Sequence, residues 1–218
     1  MKNLIVLFSN LKCGTGKTTL STLFATYCVE KGLPVVVLDA DTQRSLDKNR
    51  ADDIKSDNSP IPIPWTVYPF RVDDTIESKI RGIKQVPGIV LIDCPGTVDN
   101  PNLKFIFNAA DIAVMPFRFD RMNVRETVTF AEIFRMISKA TLLFLPNMVT
   151  QYDTKRDALR LAMDTAENEL KKHGNILPCI TECLAVRDSN TLAMNYKQRT
   201  VVKQAFDPII DIINKLAK

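Results

Sequence analysis

Apolar residues occur in short continuous runs along the chain, and longer stretches of helical periodicity separate them. Six runs are apolar or β-branched throughout, which is typical of strands buried on both faces. The predicted strands are Leu4–Phe8, 34–38, 65–70, 89–92, 112–116 and 142–146. Apolar spacing of three to four residues predicts helices over 18–30, 73–84, 101–109, 124–138 and 155–172. The alternation predicts an α/β fold with a mainly parallel, twisted sheet and helices on both faces.

One segment has neither pattern. Residues 51–64 are charged at first and then rich in proline, which predicts a surface loop or a short edge segment. Residues 201–218 have apolar positions at mostly helical spacing, and they predict a final amphipathic helix.

The composition is ordinary for a globular protein, with 45% hydrophobic and 25% charged residues in a chain of 218. We expect a single domain over residues 1–218. No apolar stretch approaches the ~20 residues of a membrane-spanning helix. The chain begins directly with a strand rather than a signal peptide, and five cysteines are an odd number at irregular spacing. These features indicate the reducing environment of the cytoplasm.

The most informative segment, residues 11–19, joins the first strand to the first helix. Its glycines, Gly14 and Gly16, allow backbone N–H groups to turn around phosphate oxygens, and the following helix N-terminus favours anions. Lys17 would contact the β- and γ-phosphates of a bound nucleotide, and Thr18 would bind Mg²⁺. The phosphate-loop pattern G-x-x-x-x-G-K-[ST] is met only in its second half, because Leu11 replaces the first glycine. The proposed nucleotide-contacting residues of the loop are Lys12, Cys13, Gly14, Thr15, Gly16, Lys17, Thr18 and Thr19.

Acidic residues follow two of the predicted strands. Asp39 and Asp41 come after the run 34–38, and Asp93 comes after 89–92. In a phosphate site, such carboxylates hold hydrated Mg²⁺ or orient the attacking water. The alternative for the first pair is a helix N-cap supplied by Asp41 or Thr42.

Taken together, these segments resemble the motifs of the ParA/MinD family of ATPases. K-C-G-T-G-K-T, with Lys12 early in the loop, is similar to the deviant Walker A motif K-G-G-x-G-K-[ST], although Cys13 replaces a glycine. Residues 39–45 resemble D-x-D-P-Q-x-S, with Thr42 in place of proline. Residues 93–96 resemble D-x-P-G, and 109–116 resemble A-A-D-x-x-x-x-P. The resemblance covers roughly residues 1–200 and is best with small ParA-type partition ATPases that lack an N-terminal DNA-reading domain.

The resemblance implies a set of roles. Lys12 would reach across an ATP-closed homodimer, Asp41 would polarise the hydrolytic water, and Asp39 and Asp93 would support the metal. Asn147 would contact the adenine, although a turn-forming asparagine explains it nearly as well. The alternative for Lys12 is a solvated loop cation. The implied function is slow, partner-stimulated ATP hydrolysis in plasmid or chromosome partition, with nonspecific DNA and a separate cargo-bound DNA-binding adaptor as partners.

Net charge bears on the partner. The chain carries +4, and the excess lies in residues 118–218, which hold 16 Lys and Arg against 12 Asp and Glu. This is compatible with a DNA-contacting surface or with an ordinary solvated face. The candidate DNA-contacting residues are Arg187, Lys197, Arg199 and Lys203, with Arg118, Arg121 and Arg125 as a second choice.

Two other functions fit the family. A MinD-like membrane-associated positioning ATPase would use the final amphipathic segment, but residues 201–218 contain only three lysines, balanced by two aspartates. Membrane-binding helices favour a richly basic face, so a core-packing helix and no stable membrane association are expected. A metabolic enzyme that phosphorylates or amidates a small molecule would need an extra substrate domain, for which the chain has little room.

Overall fold

A computed structural model describes residues 1–56, 62–150 and 157–218, and within them seven strands form one central sheet. The strands are β1 Leu4–Phe8, β2 Val35–Asp39, β3 Thr66–Pro69, β4 Ile89–Asp93, β5 Ile112–Phe117, β6 Thr141–Pro146 and β7 Asn175–Ile176. Their order is β3-β2-β4-β1-β5-β6-β7, and each pairing between neighbouring strands is parallel. The carboxyl ends of β1, β2, β4 and β6 therefore meet at one edge of the sheet.

Helices cover both faces of the sheet. They are α1 Lys17–Glu30, α2 Ser45–Ser56, α3 Ile76–Ile83, α4 Leu103–Ala109, α5 Arg121–Ile137, α6 Asp157–Lys171, α7 Leu184–Arg187 and α8 Tyr196–Leu216. Side chains of β1 alternate between two cores, as a strand buried on both faces requires. Leu4, Val6 and Phe8 enter the core under α1 and α8. Ile5 and Leu7 enter the core under α3, α4 and α5. The predicted α/β fold is confirmed.

The six predicted strands are confirmed to within one residue or two at each end, and the helices are confirmed with larger differences at their ends. The prediction of a loop over residues 51–64 is wrong for 51–56, which complete helix α2. This helix escaped detection because Leu46 and Arg50 are its buried residues, so its inner face carries a charged side chain rather than an apolar stripe. Residues 57–61 lie outside the described part of the chain.

The structure differs from the prediction in the second half of the chain as well. The predicted helix 155–172 corresponds to α6, and residues 155 and 156 lie outside the described part. The two-residue strand β7 and the four-residue helix α7 were not predicted, because elements so short show no periodicity. The final helix starts five residues earlier than the segment 201–218, at Tyr196, where Asn195 and Gln198 form a capping box.

The final helix packs into the protein. Phe206, Ile209 and Ile213 of α8 are completely buried, and Phe206 stacks edge-on against Phe24 of α1 with ring centroids 5.1 Å apart. The apolar face of α8 is therefore used by the core, as predicted. None of the helices formed by the described residues is long and apolar enough to cross a membrane.

Candidate functional site

Residues 9–16, here called the glycine loop, connect the end of β1 to the start of α1. Gly14 and Gly16 have φ angles of 74° and 93°, in the left-handed region that residues with a Cβ rarely adopt. A Cβ on Gly16 would also collide with the side-chain amide of Asn147. Both glycines are thus required by the backbone path, which turns the loop around the N-terminus of α1.

The start of α1 has the electrostatic character of an anion site. Gly16 is its N-cap residue, no described side chain caps the helix there, and its first turn contains no acidic residue. The positive end of the helix dipole and the first N–H groups are therefore left for a ligand. Lys17 adds a positive charge that is 9% exposed, and its Nζ donates a hydrogen bond to the Lys12 carbonyl at 3.1 Å.

Lys12, the lysine of the glycine loop, points towards α5. Lys12 Nζ lies 3.4 Å from Glu126 Oε1 and 3.5 Å from Met122 Sδ. Its side chain is about one-third exposed, at 29%. Lys12 is therefore a half-buried, paired cation rather than a freely solvated one.

Asp39, at the end of β2, is 1% exposed and fully engaged by backbone groups. Its Oδ2 accepts hydrogen bonds from Leu46 N and Asp47 N, both at 3.1 Å, and its Oδ1 accepts one from Asp41 N at 3.2 Å. Burial raises the pKa of Asp39, and these backbone hydrogen bonds oppose the rise. The sequence suggested Asp41 or Thr42 as an N-cap; the structure shows Asp39 bonding the first turn of α2 instead.

Asp41 is less confined. It is half-buried, and its Oδ1 accepts a hydrogen bond from Gln43 N at 2.9 Å. The turn closes with Arg44 at a φ of 50°, a conformation that costs on the order of 1 kcal/mol in a non-glycine residue. The turn presents Asp41 at the same edge of the sheet as the glycine loop.

Asp93, at the end of β4, is the least satisfied polar group of the site. Its side chain is 1% exposed, and neither carboxylate oxygen has a hydrogen-bond partner among the described residues. Burial raises the pKa of Asp93 to about 7, with Asp39 and Asp41 adding to the rise. The nearby Thr18 hydroxyl and Lys17 ammonium oppose the rise. Two unpartnered carboxylate oxygens beside a threonine hydroxyl fit the oxygen ligands that Mg²⁺ prefers.

The next turn keeps β4 close to the glycine loop. A Cβ on Gly96 would come within 3.0 Å of Cys13 Sγ and 3.3 Å of Lys17 Nζ. Gly96 therefore provides room for Lys17, and Cys13 occupies the outer, exposed side of the loop.

A cavity of about 560 Å³ opens beside the glycine loop, and we call it the α7 cavity because Leu184, Val186 and Arg187 of α7 form one wall. Its other lining residues are Gly14, Gly16, Thr19, Arg118, Asn147, Met148, Thr181, Glu182 and Cys183. Asn147 is 3% exposed, and its Nδ2 donates to the Thr15 carbonyl at 2.8 Å. Asn147 therefore braces the glycine loop while it borders the cavity.

The sequence reasoning missed several residues of the site, among them Asn10 and Met148. Asn10 is 1% exposed, and its Nδ2 donates to Pro116 O and Thr127 Oγ1, both at 2.9 Å, which fixes the loop to β5 and α5. Met148 lines the α7 cavity with a φ of 56°. A polar residue two positions after a buried strand was the available signal for Asn10; the sequence contains none for Met148.

The candidate DNA residues are not equivalent. Arg187 lies at the wall of the α7 cavity, whereas Lys197, Arg199 and Lys203 lie on α8 and are exposed. Arg199 forms a bidentate ion pair with Glu30 of α1, in which its Nε and Nη2 donate to the carboxylate oxygens at 2.8 to 3.0 Å. Glu30 is remote in sequence, so this neutralising partner could not be foreseen.

Comparison with known proteins agrees with this geometry. Residues 6–215 match the family model described as the CobQ/CobB/MinD/ParA nucleotide binding domain. A search of curated proteins finds no significant match.

Solved structures share the fold at low sequence identity. A variant of McdA from Cyanothece in complex with ATP has a TM-score of 0.75 and 14% identity, covering 98% of this chain and 96% of that chain. A plasmid partition protein of Borrelia burgdorferi bound to AMPPNP has a TM-score of 0.71 and 15% identity, with 99% of both chains covered.

MinD of Pyrococcus horikoshii OT3 complexed with Mg-ADP has a TM-score of 0.69 and 19% identity, covering 99% of this chain and 97% of that chain. The nucleotides and Mg²⁺ in these structures agree with the cofactors predicted from the glycine loop. The resemblance to ParA/MinD proteins is therefore confirmed, and the chain belongs to the family of CobQ/CobB/MinD/ParA nucleotide-binding domains.

Proposed function

We propose that this protein is a Mg²⁺-dependent ATPase switch, in which ATP closes a homodimer and hydrolysis reopens it. The observation that carries the proposal is the meeting of three features at one edge of the sheet. These are the left-handed glycine loop, the buried Lys17 at the start of α1, and the unpartnered Asp93 carboxylate. Together they offer N–H donors, a cation and a metal ligand to a triphosphate.

The nucleotide would lie with its phosphates on the glycine loop and its base and ribose in the α7 cavity. Thr19 and Gly16 belong to both surfaces, so the cavity continues directly from the phosphate site. A volume of about 560 Å³ lies within the range of small-molecule sites. Asn147 would support the base from the cavity side and the loop from the other, through its bond to Thr15.

Mg²⁺ would be held by Thr18 and Asp93. Asp39 would support the metal site indirectly and would not bind the ion itself, because both of its carboxylate oxygens accept backbone hydrogen bonds. When bound, the ion would neutralise charge on the β- and γ-phosphates. Lys17 would contribute a second positive charge there, released from its bond to the Lys12 carbonyl.

Hydrolysis would depend on Asp41. Its carboxylate is half-buried and uses one oxygen for Gln43 N, which leaves the other to orient a water molecule. Lys12 would act on the partner's phosphates, as the resemblance to ParA/MinD proteins implies. Nucleotide state and dimerisation would then be linked, because ATP favours the closed form only through contacts that the closed form makes.

The role that fits this switch best is DNA partition with a separate adaptor that stimulates hydrolysis. The single ATPase domain would bind DNA nonspecifically as a dimer, because two copies of a weakly basic surface add their phosphate contacts. Burial of the apolar face of α8 supports this role over membrane attachment, since Phe206, Ile209 and Ile213 are committed to the core.

Calorimetric titration with Mg-ATP tests the proposal. Wild-type protein should bind, and Lys17→Ala should bind at least 100-fold more weakly, because it removes the charge that faces the triphosphate. Lys84→Ala, at an exposed position beyond α3, is the matched control and should bind like wild type. Equal affinity of Lys17→Ala and wild type would refute the phosphate site.

A further inference from the structure

We propose that Arg50 is a positioning residue, which fixes residues 188–192 (the Thr191 loop) to α2 and thereby sets the wall of the α7 cavity against which ATP rests. The inference rests on the proposed ATP binding and goes beyond it, because Arg50 lies outside the cavity and is part of no nucleotide motif. It would act on nucleoside recognition rather than on the phosphates.

Arg50 is a buried cation whose donors are directed at one loop. The residue is 6% exposed. Its Nε donates to Thr191 Oγ1 at 2.8 Å, and its Nη2 donates to the Thr191 carbonyl at 3.0 Å. Its Nη1 donates to the Trp65 carbonyl at 2.7 Å, and the guanidinium stacks on the Trp65 ring at 3.9 Å. Such planar, multi-donor contacts are specific to arginine.

A second residue of α2 holds the same loop. Asp53 Oδ2 accepts a hydrogen bond from Thr191 N at 2.7 Å. Arg50 and Asp53 are three residues apart, so they lie on one face of α2. Thr191 is therefore bonded through its amide, its carbonyl and its hydroxyl to a single helix. A loop of irregular structure acquires a fixed position in this way.

The Thr191 loop is continuous with the cavity wall. It follows Arg187, which lines the α7 cavity and also borders a smaller polar cavity of about 250 Å³ with Thr19, Asp53 and Thr191. The opposite end of α7 is held by Gln198, whose Nε2 donates to the Ala185 carbonyl at 2.7 Å. Helix α7 is thus tied to α8 on one side, and through the Thr191 loop to α2 on the other.

Helix α2 also connects two ends of the site. It begins beside Asp41 and is capped by Asp39, and its length of 12 residues corresponds to about 18 Å. Arg50 is the sixth of these residues, near the middle of the helix, and its Nε and Nη2 donate to the Thr191 loop rather than to the glycine loop. Loss of the Arg50 hydrogen bonds should therefore disturb the base and ribose subsite while the glycine loop keeps its own braces, Asn10 and Asn147.

The test compares two ligands that share the phosphate site. Mg-ATP uses both the glycine loop and the α7 cavity, whereas Mg-tripolyphosphate uses the glycine loop alone. In Arg50→Met, which keeps length but loses all donors, the Kd for Mg-ATP should rise about tenfold, as the loss of charged hydrogen bonds predicts. The Kd for Mg-tripolyphosphate should stay within about twofold of wild type.

Three further variants separate positioning from stability. Thr191→Val removes only the hydroxyl that accepts from Arg50 Nε, and it should weaken Mg-ATP by about threefold. Ile209→Val trims the α8 core and serves as the control for general destabilisation. It should leave the affinity for both ligands unchanged. Arg50→Lys keeps the charge but loses the planar set of guanidinium donors, so its affinity for Mg-ATP should lie between those of wild type and Arg50→Met.

The outcomes are distinct. Equal weakening of both ligands in Arg50→Met and Thr191→Val, or unchanged Mg-ATP binding in both, would overturn the positioning role while leaving the proposed ATPase intact. Failure of wild-type protein to bind either ligand would instead overturn the proposed function itself. If Arg50→Met does not fold, Thr191→Val and Arg50→Lys decide the question. For each of them the change in Kd for Mg-ATP is compared with the change in Kd for Mg-tripolyphosphate.

Discussion

Lys12 and Glu126 form an ion pair within one chain, with Nζ 3.4 Å from Oε1. Both side chains are about one-third exposed, at 29% and 33%, so the pair contributes less than about 1 kcal/mol. A lysine that contacts the phosphates of a second chain must first leave Glu126. The pair therefore sets a small energetic threshold for dimer closure in the proposed switch.

We predict that Glu126→Gln dimerises at an ATP concentration about two- to fivefold lower than wild type, because the competing carboxylate charge is gone. Light scattering across an ATP titration measures this. Glu132→Gln, at an exposed position on the same helix, should match wild type. Lys12→Ala should bind ATP yet fail to dimerise. A Glu126→Gln midpoint at or above the wild-type value would show that the pair does not oppose closure.

Replacing Asp39 should lower the stability of the protein, whereas replacing Asp41 should lower its ATP hydrolysis. Asp39→Ala leaves Leu46 N and Asp47 N of α2 without an acceptor, so we expect a loss of about 2 kcal/mol and a melting temperature lower by about 5 °C. Asp41→Ala should retain the wild-type melting temperature and ATP-dependent dimerisation but show little steady-state hydrolysis. Calorimetry and a phosphate-release assay check both. Normal turnover in Asp41→Ala would exclude it as the residue that orients water.

The pKa of Asp93 predicts a pH-dependent stability of the nucleotide-free protein. Its folded-state pKa of about 7 exceeds the ordinary value of 3.8, so the folded chain keeps a proton that the unfolded chain releases between these values. Stability should therefore decrease as pH rises from about 4 to 7 and then remain constant, and the burial of the charge should cost a few kcal/mol at pH 8.

Asp93→Asn removes this dependence. Without nucleotide or metal, the variant should melt at a higher temperature than wild type at pH 8, and the difference should shrink towards pH 4. With Mg-ATP the order should reverse, because the amide is a poorer ligand for Mg²⁺. Asp99→Asn, an exposed control, should follow wild type at every pH. An Asp93→Asn protein less stable than wild type at pH 8 would contradict an unpaired, costly carboxylate.

The sheet was predictable because buried parallel strands are continuous apolar runs, such as Leu4–Phe8, that need no knowledge of distant residues. Helix α2 was not, because one of its two buried residues is Arg50, whose guanidinium becomes buried only through partners far along the chain. The periodicity of apolar residues along the sequence indicates which apolar side chains are buried. It does not indicate which polar side chains are buried by hydrogen bonds to residues far along the chain.

The same distinction applies to the site. The glycine loop and the acids at strand ends were predictable because local backbone geometry places them. The wall of the α7 cavity was not, because Met148 and Glu182 reach it from separate segments. Whether Lys12, Asp41 and Asn147 have the predicted roles stays a prediction for the variants described above.

DNA binding gives a further prediction. The ATP dimer should bind duplex DNA without sequence preference, and replacing Lys197, Arg199 and Lys203 by Glu should weaken it while sparing ATP binding. The slope of the logarithm of the binding constant against the logarithm of salt concentration should become shallower by about 0.9 for each phosphate that the variant no longer neutralises. Fluorescence anisotropy over a salt series, with and without ATP, measures both quantities. Equal binding in the two nucleotide states would remove the link to the switch.

The pairing of Arg199 with Glu30 sharpens this test. Glu30 holds Arg199 by three hydrogen bonds of 2.8 to 3.0 Å and lowers the positive potential of the α8 surface. If this surface contacts DNA, Glu30→Gln should raise affinity a few-fold and steepen the salt slope by about 0.9, because it frees one cation for a phosphate. Glu77→Gln, an exposed change of equal charge on α3, should have a smaller effect and leave the slope unchanged. Identical anisotropy curves for Glu30→Gln and Glu77→Gln would place the DNA surface elsewhere, with Arg118, Arg121 and Arg125 the next residues to replace.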